Sequence, residues 1–143
     1  MSTETTERVL REYGEALLSR GDFGRFFSDD VLWTTMETGQ EIRGREAVRD
    51  YIVALHTTIF DARPVIRGTV AGDGVALLEA DFVGRHIGEF AGIPATGRSV
   101  RVPLCVVYDL EGDQIKRGRV YLEMPVLMRQ LGQAPAAAGA ASA

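Results

Sequence analysis

At 143 residues, 45% hydrophobic and 25% charged, the chain has the size and composition of one globular domain with a buried core. Sixteen basic against twenty acidic residues leave a net charge of −4 without a basic cluster, which argues against nucleic acid or an anionic membrane as partner. A single cysteine, Cys105, excludes an internal disulfide; the start carries no secretion signal, and no apolar run approaches the ~20 residues that span a bilayer, so a cytoplasmic protein is expected.

Along the chain, Val9, Leu10, Tyr13, Ala16 and Leu17 recur at helical spacing and stop at Gly21, which predicts a first helix. Asp22 is placed to cap a short turn carrying Phe23, Phe26 and Phe27. An extended run over 31–37 follows, and Thr38-Gly39 closes it as a turn. Val48, Tyr51, Ile52, Leu55 and Ile59 then share one face of a second helix over 45–59. From there the period becomes two, over 65–70, 75–86, 99–110 and 115–124, with turn signals at Asp73-Gly74 and Glu111-Gly112-Asp113. This is a four-strand meander, followed by Pro125 and a short helix over 126–131. The Ala-, Gly-, Ser- and Pro-rich stretch 133–143 reads as a mobile end outside a single domain 1–132. Helices first and long strands later define the α+β class, with the helices packed on one face of a strongly curved antiparallel sheet.

Alternation sorts the strand residues into two faces. Ala76, Leu78, Ala80 and Phe82 form a wholly apolar set that should face inward, with Val100, Val102, Leu104, Val106 and Tyr108 on the next strand and Gly118, Val120, Leu122 and Met124 on the last. Glu79, Asp81, Arg101, Arg119 and Glu123 then face outward, where Arg101 is expected to meet Glu123 and Asp81 in cross-strand ion pairs. A β-bulge would reverse this parity and turn Glu79 or Asp81 inward. Leu77, Pro103, Cys105 and Tyr121 lie among the outward charges and suggest a homodimer through that face.

The segment from Gly84 to Arg98 joins two of these strands and is unusual for a loop: four glycines and a proline break regular structure, while Ile87, Phe90 and Ile93 supply apolar surface. Its His86-x-Gly88-x-Phe90-x-Gly92-Ile93-Pro94-x-Thr96-Gly97 pattern resembles a segment of the SnoaL-like polyketide cyclases. These belong to the nuclear-transport-factor-two-like superfamily, with limonene epoxide hydrolases and ketosteroid isomerases as relatives. Phe27-Ser28-Asp29-Asp30, Gly44-Arg45-Glu46-Ala47, the run from Arg119 to Met124 and Arg129-Gln130-Leu131-Gly132 extend the resemblance over most of the domain. It implies a cone-shaped α+β barrel around a hydrophobic small-molecule ligand, with the 84–98 loop as a lid. The implied chemistry is acid/base cyclisation or isomerisation of a polyketide- or terpenoid-like substrate without a cofactor.

The family's acids are replaced in this chain. The last-strand carboxylate corresponds to Val120 and the polar position on the preceding strand to Val106; the Arg and first Asp of the epoxide hydrolases fall on Ala80 and Phe82, their Tyr and Asn on Trp33 and Thr35. A carboxylic acid in an apolar cavity has its pKa raised toward neutrality and can shuttle protons; valine cannot. Two candidates remain for the catalytic role. Glu37 is in phase with Trp33 and Thr35 and is alternatively a solvated rim carboxylate; His86 is in phase with Phe82 and is acid, base or loop anchor. Expected ligand contacts are Trp33, Thr35, Tyr51, Phe82, Phe90, Val106, Tyr108, Val120 and Met124. His56 near the end of the second helix reads as a complement to that helix's C-terminus. No spacing of His and Cys makes a metal site, and the Gly-rich loop lacks the pattern of a phosphate cradle. A ligand-binding protein that kept the cone and lost the chemistry is the alternative reading, and an epoxide hydrolase the third.

Overall fold

The computed structural model describes residues 2–133. Of the expected tail, only Gln133 falls within that range. In chain order the elements are α1 (Thr3–Leu18), a 3-10 turn (Phe23–Phe26), β1 (Phe27–Thr35), β2 (Gln40–Arg43), α2 (Arg45–Ala54), a π turn (Leu55–Ile59), β3 (Phe60–Ala71), β4 (Val75–His86), β5 (Ser99–Glu111), β6 (Gln114–Leu122) and α3 (Met124–Gln130). Ser2 caps α1, its hydroxyl accepting the Thr5 N–H at 3.1 Å. The stripe Val9, Leu10, Tyr13 and Ala16 is buried as the periodicity predicts. Asp22 precedes the 3-10 turn without a side-chain cap bond; its carbonyl instead accepts from Arg25 at 2.7 Å.

The sheet runs β2-β1-β6-β5-β4-β3, is curled, and does not close. The α+β class holds, but the expected wholly antiparallel sheet is mixed, because β1 and β6 pair in parallel. The reason is topological: the β1–β2 hairpin and α2 carry the chain across one face, and the β3–β6 meander returns its last strand alongside β1 in the same direction. Several boundaries differ from the sequence reading: β1 runs over Phe27–Thr35 and not 31–37, β2 is an added strand, β6 ends at Leu122 and α3 starts at Met124. Helix α2 gives way after Ala54 to a π turn, and β3 begins at Phe60 rather than 65. Pro64 lies inside β3, where an edge position tolerates its missing N–H.

A bulge does occur, at Arg67, between the pairs Ile66–Ala80 and Gly68–Glu79. It sits in β3, so the parity of β4 is unbroken and Asp81 stays on the outer face. There the extra residue delivers its guanidinium to the Asp81 carboxylate through two bonds of 3.1 and 2.8 Å, and Arg101 adds a third contact at 3.1 Å. Arg101 therefore pairs with Asp81 and not with Glu123, which the register sets opposite Pro103. Arg119 pairs with Asp109 on the neighbouring strand.

Two apolar clusters fill the interior. One gathers Tyr13, Phe23, Phe26, Phe27, Trp33 and Tyr108 where α1 meets the sheet, with the Tyr13 and Tyr108 rings 5.6 Å apart. The other joins Phe60, Phe82, Ile93, Val100, Leu127 and Leu131 beneath α3 and the 84–98 loop. Each large side chain so buried contributes roughly 1.5–3 kcal/mol. The loop is held down through its backbone: Ile87 and Gly88 donate to the Ile59 carbonyl at 2.9 Å, and Phe90 and Ile93 exchange bonds of 3.0 and 2.8 Å around Ala91-Gly92. Both turn residues have positive φ, 52° and 81°, the backbone of a mirror-image hairpin turn. Phe90 is thereby pressed 5.5 Å from the Phe60 ring.

Candidate functional site

Strand parity and register build the cavity row by row. Ala76, Tyr108, Gly118 and Trp33 lie side by side across β4, β5, β6 and β1, and the next inward row contains Leu78, Val106 and Val120. Gly118 is needed where it stands: a Cβ there would come within 2.3 Å of the Trp33 ring. The indole therefore packs directly against β6 at Gly118 and lines the cavity. Tyr13 and Leu17 from α1, Tyr51, Ile52, Leu55 and His56 from α2 and its π turn, and Met124, Leu127 and Phe90 complete the wall. The space enclosed, measured as room for the centre of a water-sized sphere, is about 110 Å³.

Its chemistry is sparse. None of the lining residues is Asp or Glu. Burial pushes the Tyr13 and Tyr108 phenols well above the usual tyrosine range, so both stay protonated. Val120 and Val106 occupy the wall at the positions where the resemblance sets polar groups. The carboxylates of these strands are on the opposite face, and Arg67 and Arg101 hold Asp81 below the usual carboxylate range.

One imidazole reaches the cavity, and it belongs to His56. The sequence reading gave it a helix-capping role, and that contact exists: Nδ1 lies 2.8 Å from the Ile52 carbonyl oxygen. Since a carbonyl only accepts, Nδ1 carries the proton, and the neutral ring presents Nε2 as an unprotonated acceptor. Burial lowers the pKa of His56, keeping the ring neutral around pH 7. Its ring packs edge-on against Phe82 at 5.3 Å. The local cause is the π turn, an irregular widening of helix often found at functional sites, which follows directly on α2. A histidine four residues after the buried Ile52, next to Leu55 on the apolar stripe, was the signal available in sequence.

The two candidates from sequence lie elsewhere. Glu37 is exposed in the turn 36–39, because β1 ends at Thr35 and its alternation ends with it. His86 is fully buried but is not on the cavity wall. Its Nδ1 accepts the Thr96 N–H at 3.2 Å and touches the Thr96 hydroxyl at 3.0 Å, its backbone pairs with Arg98 and Gly97, and its ring lies 5.1 Å from Phe60. With Nδ1 accepting, the neutral ring carries its proton on Nε2, which is buried without a partner. The expected ligand contacts Trp33, Thr35, Tyr51, Phe82, Phe90, Val106, Tyr108, Val120 and Met124 all lie on the cavity wall. Among the described residues no group of three His, Cys, Asp or Glu side chains is placed to hold a metal ion. No helix there is long and apolar enough to cross a membrane.

A curled mixed sheet with helices over an apolar hollow, and strands that send their charges to the far side, defines the cone of the ketosteroid isomerase-like and SnoaL-like proteins. This chain belongs to the SnoaL-like polyketide cyclase family, whose family profile matches residues 7–131. Solved structures share the fold at low identity. A candidate SnoaL-like polyketide cyclase from Jannaschia sp. CCS1 is 16% identical and superposes with a TM-score of 0.81 over 93% of this chain and 95% of its own. TsrD from Streptomyces laurentii is 23% identical, with a TM-score of 0.77 over 94% and 99%. A ketosteroid isomerase-like protein from Catenulispora acidiphila, solved with trimethylamine, is 18% identical, with a TM-score of 0.70 over 90% and 95%. No curated protein matches the sequence.

Proposed function

We propose that the protein is an enzyme of lipophilic small-molecule metabolism that moves a proton on a polyketide- or terpenoid-like carbonyl compound, with His56 as the base. What supports this reading is the His56 ring on the wall of a cavity otherwise lined by apolar and hydroxyl groups, with Nδ1 turned to the Ile52 carbonyl and Nε2 left as the unprotonated acceptor. Nε2 takes a proton from the carbon next to a carbonyl, and the electron pair of the broken C–H bond moves into an enolate. A protonated tyrosine, Tyr13 or Tyr108, donates a hydrogen bond to its oxygen. The imidazolium then returns the proton to another carbon, which completes an isomerisation, or the enolate attacks a second carbonyl and the resulting alkoxide takes the proton, which closes a ring. Low polarity favours the neutral base at rest, and a water-poor cavity protects the enolate.

Deuterium exchange tests this on simple ketones, whatever the natural substrate. A panel of lipophilic enolisable ketones in D₂O should show faster incorporation next to the carbonyl with the parent protein than with buffer. His56→Gln should abolish the difference, and His86→Gln should keep it. Equal exchange by the parent and His56→Gln would overturn the assignment.

The replacement of the expected acids by Val120, Val106 and Phe82 favours a second reading, a ligand-binding protein without turnover. A bound lipophile returned unchanged, with no exchange catalysed, would establish it. Epoxide hydrolysis has the weakest support, since the cavity wall offers no carboxylate to activate water. The outer sheet face exposes Leu77 by 38% and Tyr121 by 44%, which supports pairing with a second copy there. A dimeric mass at micromolar concentration, lost in Tyr121→Glu, is the expected result.

A further inference from the structure

The glycines on either side of His86 differ from those in the turns of this chain. Gly84 and Gly88 are not among the residues with positive φ, so their backbone does not call for glycine. What calls for it is space. A Cβ at Gly84 would come within 2.3 Å of the Asp61 carbonyl oxygen and 2.5 Å of the Ala62 Cα, and one at Gly88 within 2.5 Å of the Thr58 carbonyl oxygen and 3.2 Å of the Ile59 Cα. These neighbours all lie in one short stretch, 58–62, where the chain leaves the π turn and enters β3. The two glycines let the end of β4 and the start of the 84–98 loop sit directly on the backbone of that exit.

Hydrogen bonds fasten the contact at the same place. Ile87 and Gly88 both donate to the Ile59 carbonyl at 2.9 Å, and the Phe60–His86 rung of the β3–β4 ladder follows at once. Ile59 is the last residue of the π turn that carries His56. The other end of that turn is joined to α2, where the His56 Nδ1 contact with Ile52 and a 2.7 Å bond from the Thr57 hydroxyl to the Val53 carbonyl hold it. Packing adds little, because none of the five side chains in the turn is fully buried. A short irregular turn with so little packing takes its position from its two ends, and the loop sets one of them.

We infer that Gly88 is a positioning residue for His56: its missing side chain and its N–H, together with the N–H of Ile87, seat the loop on the π turn and so fix where the imidazole stands on the cavity wall. This rests on the reading of His56 as the base. The loop then has two tasks, since it also carries Phe90 to the wall. Alanine at 88 needs about 1 Å more room to reach ordinary contact with the Thr58 carbonyl, and a misplacement of about that size costs a reaction up to about 10²-fold in rate.

The test reads the His56 ring by ¹⁵N NMR and, separately, deuterium exchange into 2-octanone in D₂O. Gly88→Ala should shift the His56 Nδ1 and Nε2 resonances and slow exchange about tenfold or more, while Gly97→Ala should do neither. Gly97 has φ of 72° and a Cβ there meets nothing within 4 Å, so alanine strains the same loop without pressing on the turn. Ile87→Pro repeats the test without bulk against the turn: it deletes one of the two donors to Ile59, follows an extended residue at the end of β4 as proline prefers, and should shift the same resonances. A merely structural role for Gly88 lowers stability and leaves the His56 ring as in the parent protein. His56 resonances unmoved in both Gly88→Ala and Ile87→Pro would overturn the inference, as would an equal shift in Gly97→Ala. If the parent protein exchanges no 2-octanone above buffer, the base assignment fails, and the ring resonances alone decide the positioning.

Discussion

The two histidines of this chain occupy opposite kinds of site. His86 sits in the stretch with the most distinctive sequence, and its contacts are structural: Thr96 engages one ring nitrogen, Phe60 packs tilted against the ring, and backbone bonds to Gly97 and Arg98 hold its main chain. His56 sits in an ordinary helical stretch, yet in the π turn after α2 it lies on the cavity wall with Nδ1 turned to the Ile52 carbonyl. A recognisable motif can therefore mark how a loop is tied down, while a histidine in an unremarkable helical stretch reaches the cavity wall.

The largest expected effect breaks that contrast at the base. His56→Gln should reduce turnover of an identified substrate by a factor of about 10² to 10⁴, the usual worth of a positioned general base, with binding of octanol retained. His86→Ala should do the reverse, losing roughly 2–4 kcal/mol in urea unfolding through the cavity it leaves and the unpaired Thr96 N–H, with the rate per folded molecule unchanged. Next in size, Gly118→Ala should cost about 1–3 kcal/mol and shift Trp33 emission, because the new methyl displaces the indole from the wall. Ala91→Asn sharpens the loop side of the comparison: the left-handed backbone at φ 52° suits Asn better than Ala, so stability should rise by about 0.5–1 kcal/mol without a change in rate.

Acid provides a test on the parent protein itself. Burial lowers the pKa of His56, so below about pH 6.5 the unfolded chain takes up this proton more readily than the folded one. The stability tied to His56 is complete above that pH and is lost as pH falls through the folded-state pKa. Turnover should fall over the lower part of the same range as the base becomes protonated. In His56→Gln the stability change assigned to this group should vanish.

Much of the architecture was legible in sequence, because it rests on periodicity. The buried stripe of α1, the bounds of β4 and the apolar inner faces of β4, β5 and β6 all follow from alternation or helical spacing. β2 was not legible, since its four exposed or half-buried residues carry no pattern. Nor was the start of β3, where Pro64 reads as an interruption until the strand is seen to lie at an edge. In the site, Trp33, Tyr108 and Val120 were readable by phase. Glu37 misled because phase was carried two residues beyond the end of a strand. The place of His56 on the cavity wall was missed because the residue falls near the end of a helix, where its contact with the Ile52 carbonyl already accounts for it.

That His56 and not His86 handles the proton can be tested at the two imidazoles themselves by NMR. With ¹⁵N-labelled protein, the His56 ring is assigned by its loss in His56→Gln, and octanol is added at pH 7.5. The expected spectrum shows a neutral His56 protonated on Nδ1 whose Nε2 resonance moves as the cavity fills, with the His86 resonances unmoved. A ligand-induced shift at His86 with His56 unchanged, or a His56 ring protonated on Nε2, would contradict the assignment.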